Sequence, residues 1–256
     1  MFEYLWLLPL GFVAGILGSM IGLGGGFIVV PVLTFFGFAP TLAASDSLFA
    51  AFSNSVASTA SYARQKRIVY SLGIKLALMS IPGTIIGAYI SDGVSPPVFK
   101  ILFAMVLVTS GTYIYLRRKM EPREHNLSKQ LMVFTAGASF FAGIVSSLFG
   151  IGGGSVFVPL MVIAIGLSMK LAAPTSQFIL MFAAASGMIV HSLLGHPNYY
   201  EAGMLSIGSF VGGLVGSKLS MRVNERKLRI AVTLVLGITA VKLVFPLISS
   251  GENLNN

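Results

Sequence analysis

The chain has 256 residues, 55% of them hydrophobic and only 10% charged, with a mean hydropathy of +0.87. That is too apolar for a soluble globular domain, and long apolar runs such as 75–90 and 99–116 exclude the short alternating strands of a barrel, so the class is an all-α polytopic membrane protein. The absence of cysteine excludes disulfides and thiolate metal sites, and the net charge of +9 is the usual excess of cytoplasmic loops rather than a nucleic-acid surface.

The N-terminus, MFEYLWLLPL, carries an acid where a signal peptide has its basic region and shows no small-residue cleavage site; it reads as the start of the first membrane helix. A long first region, Tyr4 to Phe36, is broken at a glycine cluster. Leu42 to Tyr62, Leu72 to Ile90 and Val98 to Leu116 follow as simple segments. After a polar basic linker the series repeats as Leu131 to Ile165, Leu171 to Leu194, Ala202 to Leu219 and Leu228 to Ile248. Trp6, Tyr89, Tyr199 and Tyr200 fit an aromatic belt, and Lys75 can snorkel to a surface.

The repetition is an internal duplication. GLGGGFIVVP, Gly22 to Pro31, returns as GIGGGSVFVP, Gly150 to Pro159; Ala14-Gly15-Ile16 matches Ala142-Gly143-Ile144, and Gly83 and Gly87 match Gly212 and Gly216. Two membrane repeats, 1–120 and 131–256, are therefore joined by a linker at 121–130, the pattern of a transporter fold.

Loop charge suggests that the repeats are inverted. The loop after the second segment holds Arg64, Lys66 and Arg67, while its counterpart, Gly195 to Glu201, holds no Lys or Arg. SDGVSPP before the fourth segment is equally bare, while its counterpart carries Lys218, Arg222, Arg226, Lys227 and Arg229. Charge that swaps sides requires an odd number of crossings per repeat, so each interrupted first region crosses an even number of times. From Gly26 to about Gly37 a helix rises only about 18 Å, short of the roughly 30 Å hydrocarbon core, which favours a re-entrant hairpin over two full crossings. Both termini then lie outside and the basic loops inside.

Three consecutive glycines in an apolar region free backbone amides to face a ligand, and a half-helix starting after them adds the positive end of its dipole. The triplets Gly24, Gly25, Gly26 and Gly152, Gly153, Gly154, with Ser155, are read as the tips of two half-helices converging on one anion near the midplane. The spacings Gly11 to Gly15 and Gly83 to Gly87 read instead as close helix crossings. Neither triplet completes a nucleotide phosphate-binding motif.

The paired glycine-proline motif, the duplicated apolar halves and the basic central loop resemble the sulfite exporter TauE/SafE family, the toluene sulfonate uptake permeases, over nearly the whole chain. The resemblance implies secondary transport of sulfur-containing or organic anions such as sulfite, sulfonates or sulfocarboxylates across the cytoplasmic (inner) membrane of a prokaryote.

Polar groups in the apolar segments complete the candidate site. Ser45, Ser47 and Asn54 in the second segment face a matching cluster, Thr175, Ser176 and Gln177, in its partner; such groups suit sulfonate oxygens, although Ser and Thr also bond to their own helix backbone. Asp46 is the only acid well inside a predicted segment, and it reads either as a proton-coupling carboxylate or as a helix cap near Thr41. His191 is a gate or proton residue or a satisfied interfacial histidine; it and His196, five apart and without a nearby carboxylate, do not make a metal site. The expected partners are thus a small anion, membrane lipid and protons, with no cofactor, metal or nucleic acid. A channel, an intramembrane enzyme and a non-transporting membrane subunit are the alternatives. With no clustered nucleophile, base or metal set, the chain reads as a non-enzyme.

Overall fold

The computed structural model describes residues 4–116 and 129–223, together with isolated positions between 230 and 241. Its described residues form nine helices and no strand: α1 (Leu7–Ile21), α2 (Gly26–Phe35), α3 (Pro40–Arg64), α4 (Tyr70–Ser91), α5 (Pro96–Leu116), α6 (Lys129–Phe149), α7 (Gly154–Ile163), α8 (Met169–Leu193) and α9 (Tyr199–Leu219). The expected segment Leu228 to Ile248 lies outside the described residues apart from those isolated positions, as do Arg226, Lys227 and Arg229.

Both interrupted regions break where the sequence indicates. Gly22, Gly24 and Gly25 adopt φ of 86°, 82° and 84°, and Gly150, Gly152 and Gly153 adopt 67°, 71° and 73°. Side chains are strained in this left-handed region, so three glycines per motif are required by backbone conformation alone. The last glycine of each triplet, Gly26 and Gly154, is already helical. Pro31 and Pro159 lie inside the half-helices they follow and cannot donate to the carbonyls of Phe27 and Ser155. At 10 residues each, α2 and α7 rise about 15 Å at 1.5 Å per residue, half of a hydrocarbon core.

Among the described residues, α4, α8 and α9 are long and apolar enough to cross a membrane. The 25-residue α3 is long enough but carries a row of serines, Asn54 and Asp46, nearly all of which the bundle buries. Apolar side chains such as Leu78, Tyr89, Met105, Ile207 and Phe210 project outward, as a lipid-facing surface requires.

The packing pairs helices across the two halves. α1 lies along α9, where a methyl at Gly11 or Gly15 would strike the backbone of Leu205 or Ser209, and one at Gly208 or Gly212 that of Leu8 or Phe12. α4 lies along α6 in the same way, through Gly83 and Gly87 against Phe140 and Ile144, and Gly143 against Ser80. These spacings are close helix crossings, as the sequence suggests. At the centre α3 and α8 cross: Leu48 meets Gly187 near the start of one and the end of the other, and Tyr62 clusters with Phe178 at the opposite ends, so the two helices run in opposite directions.

Candidate functional site

The two glycine motifs meet. A Cβ on Gly26 would land on the Gly150 carbonyl, and a Cβ on Gly154 would land on the Gly22 carbonyl. Each half-helix therefore begins against the turn that precedes the other. Ser47 Oγ donates to the Gly150 carbonyl at 2.8 Å, and Ser176 Oγ to the Gly22 carbonyl at 2.7 Å. Between the copies, Gly24 and Gly152 both face Leu180 and Ala51, which close the centre with apolar groups. All of Gly22–Gly26 and Gly150–Ser155 are buried.

The first bonds within the half-helices run from Ile28 and Val29 to the Gly25 carbonyl and from Val156 and Phe157 to the Gly153 carbonyl. The amides of Gly26, Phe27, Gly154 and Ser155 precede them and carry the positive ends of the two dipoles.

The polar clusters divide their tasks. Ser47 and Ser176 hold the opposite motif, and Gln177 Nε2 donates to the Gly18 carbonyl at 2.8 Å, where α1 ends. Thr175 Oγ1 accepts from the Val69 amide at 3.0 Å. Asp46 occupies the equivalent place in the first half, and its Oδ1 accepts from the Asn198 amide at 3.0 Å. Asp46 thus sits well inside its own helix and caps the start of α9 rather than α3. Ser45 Oγ, Asn54 Nδ2 and Gln177 Oε1 are among the buried polar atoms that have no hydrogen-bond partner. Unsatisfied groups of this kind are costly in a protein interior, and they concentrate where a polar ligand is handled.

Two residues escape sequence reading. Glu201 lies at the edge of a predicted segment, yet it is 3% exposed and stands beside Asp46, which is fully buried. Asn198 Nδ2 donates to Glu201 Oε1 at 2.8 Å. Both carboxyls accept from Asn198, Asp46 from its amide and Glu201 from its side chain, and the second oxygen of each, Oδ2 and Oε2, is buried without a hydrogen-bond partner. Asp46 is therefore not the sole buried acid. The other residue missed is Asp92, an exposed acid whose carboxylate contacts His196 Nε2 at 2.7 Å. Although five apart, His191 and His196 touch through their Nδ1 atoms at 2.8 Å, because α8 ends at Leu193 and the chain folds back. His191 Nε2 meets the Ser147 carbonyl at 3.1 Å. The expectation that the two histidines lack a carboxylate is thus corrected: Asp92 arrives from the loop after α4. No group of three or more metal-ligating side chains forms a metal site among the described residues.

At the other end of the bundle, Tyr62 donates to the Ser19 carbonyl at 2.8 Å, the place His191 takes against Ser147. Arg67 stands over the Tyr62 ring, 5.2 Å from its centroid, and bonds Ser220 Oγ, Gln65 Oε1 and the Lys170 carbonyl.

Comparison with known proteins finds relatives along nearly the whole chain. The family model described as "Sulfite exporter TauE/SafE" matches residues 7–243. The chain is 29% identical to "Probable membrane transporter protein YunE" of Bacillus subtilis, over 95% of this chain and 98% of that one. It is 30% identical to "Probable membrane transporter protein MJ0441" of Methanocaldococcus jannaschii, over 93% and 95%. No solved structure gives a significant match.

Proposed function

The chain belongs to the TauE/SafE sulfite exporter family, and from that premise we propose that it is a secondary transporter for a small sulfur-containing or organic anion, of the sulfite, sulfonate or sulfocarboxylate type. The observation that carries this reading is the reciprocal contact of the two glycine motifs, each start of a half-helix lying against the other copy's turn. Two dipole-positive ends in one buried region favour an anion over a cation. The unpaired Asn54 amide and Ser45 hydroxyl supply further donors.

The working model is a pair of inverted repeats, 1–120 and 131–256, with both termini outside a prokaryotic inner membrane. The opposed directions of α3 and α8 and the exchange of loop charge support it. The halves rock about the centre, and the anion is exposed to one face at a time. With Leu180 and Ala51 between the copies, passage requires the halves to separate there. Asp46 is the proton-coupling group, because a buried carboxylate beside an anion is repelled by it unless protonated. His191 serves the gate at its end of the bundle.

The test is flux in proteoliposomes, with sulfite, thiosulfate, an aryl sulfonate, a sulfocarboxylate and a plain carboxylate offered under an imposed pH gradient. Saturable, trans-stimulated uptake of at least one anion is expected, and it distinguishes a carrier from a channel. Stabilisation by cations alone, with no anion flux, would overturn the reading.

A further inference from the structure

At the ends of α3 and α9 lies a cavity of about 730 Å³. Arg64 comes from the last turn of α3, Lys218 from the last turn of α9, and Arg222 from the turn beyond it. We propose that this cavity is a second anion site, which takes a small amphiphilic anion: an acidic head held by Arg64, Lys218 and Arg222, with an apolar part against α9. Binding is argued from the cavity alone; only the further step, that the bound anion is cargo, rests on the transporter reading.

Three observations support it. First, the three cations share one concavity and none forms an ion pair with a described residue; the single salt bridge among the described residues joins His196 and Asp92 at the other end. Like charges brought together without a carboxylate repel, and a bound anion relieves that repulsion. A cation near a helix C-terminus is ordinary by itself, but three entering one cavity go beyond that.

Second, the walls are of two kinds. Leu214, Val215 and Leu219 form an apolar side, and Ser61 and Gln65 a polar one. The volume falls within the range of small-molecule pockets, roughly 300–1,000 Å³. Cationic and apolar walls together select an anion with a hydrocarbon portion, as basic pockets at membrane surfaces select acidic headgroups.

Third, the cavity lies at the end of a polar seam. Along α3 and α9, Ser53 bonds the Ser206 carbonyl at 2.9 Å, Ser58 the Gly213 carbonyl at 3.4 Å and Gln65 the Ser217 carbonyl at 3.3 Å. Asn54, with its unpaired amide, sits within this seam beside Gly213. The equivalent corner of the other half holds His191, His196 and Asp92, so the preference for anions is one-sided.

A soluble anion and a lipid headgroup present the same chemistry, and two arms separate them. Full-length protein in phosphatidylcholine nanodiscs is titrated with benzenesulfonate by calorimetry. In parallel, protein in phosphatidylcholine–phosphatidylglycerol nanodiscs is released for mass spectrometry and the retained phosphatidylglycerol is counted. Arg64→Gln and Arg222→Gln should each weaken one of the two ligands by roughly tenfold, in keeping with loss of a charge-assisted contact. Arg64→Lys and Arg222→Lys should retain most binding, and Lys75→Gln, on the exposed face of α4, should match wild type. Loss in the first arm identifies a soluble anion, and loss in the second a headgroup. If both glutamine variants fold and match Lys75→Gln in both arms, the site does not exist. Arginine-dependent binding in a protein that moves no anion would overturn the transport reading and leave the cavity site standing.

Discussion

Tyr62 and His191 hold equivalent carbonyls at opposite ends of the bundle: the Tyr62 hydroxyl bonds Ser19, and the His191 imidazole meets Ser147. Both serines lie in the last turn of the helix that leads into a glycine motif. The residues that back them differ in kind. Arg67, behind Tyr62, offers only donors, whereas His196, behind His191, can donate or accept. The duplicated fold therefore holds equivalent carbonyls with a phenol backed by a guanidinium at one end and with paired imidazoles at the other.

The reciprocal serine bonds give the simplest expectation. Ser47→Ala and Ser176→Ala each leave a buried glycine carbonyl without its donor, at a cost of about 1–3 kcal/mol. The two variants should lower the thermal midpoint in detergent by similar amounts, since the bonds are equivalent in geometry and burial. A large loss in one and none in the other would show that the two motifs are not held alike.

The glycines separate into two mechanisms. Gly25→Ala and Gly153→Ala force a methyl group into left-handed backbone, at a cost of roughly 1–2 kcal/mol, and also into the neighbouring helix. Gly26→Ala and Gly154→Ala gain helix propensity, yet their methyls land on the other copy's carbonyl. All four should fall in anion-dependent stabilisation. Gly203→Ala is the control: it lies within α9 with nothing within 4 Å of its added carbon. That variant should be neutral or more stable by up to about 1 kcal/mol.

Much of the architecture is legible from the chain because the constraints are local. Glycine runs at Gly24 and Gly152 break helices wherever they occur, and apolar length sets the spans. The match between the halves predicts that Ser47 and Ser176 play corresponding roles, although not that each bonds the opposite motif. Glu201 is invisible because its burial comes from α3, which is distant in sequence. The His191–His196 contact is missed because helical spacing argues against it, while a helix end and a return of the chain permit it. The cavity at Arg64 and Lys218 is hidden for another reason: basic residues at that end are expected from loop charge alone, and only tertiary packing brings three of them into one hollow.

The carboxyl pair sets a non-additive expectation. Because Asp46 and Glu201 are both buried and both bond Asn198, Asp46→Asn and Glu201→Gln should each abolish the pH dependence of anion flux, and the double variant should lose no more than either single one. Residual flux that no longer responds to an imposed pH gradient is the diagnostic result. Unchanged pH dependence in Asp46→Asn would remove Asp46 from any coupling role.

The histidine chain sets the last expectation. His191 is buried, touches the His196 ring and meets the Ser147 carbonyl, and His196 reaches the exposed Asp92. His191→Ala leaves the Ser147 carbonyl without this partner, at a cost of about 1–3 kcal/mol. Asp92→Asn alters only an exposed partner of His196, at a cost below about 1 kcal/mol. Thermal unfolding of wild type and both variants in detergent measures the difference. A loss in Asp92→Asn as large as that in His191→Ala would show that the outer contact, rather than the buried carbonyl, holds this end together.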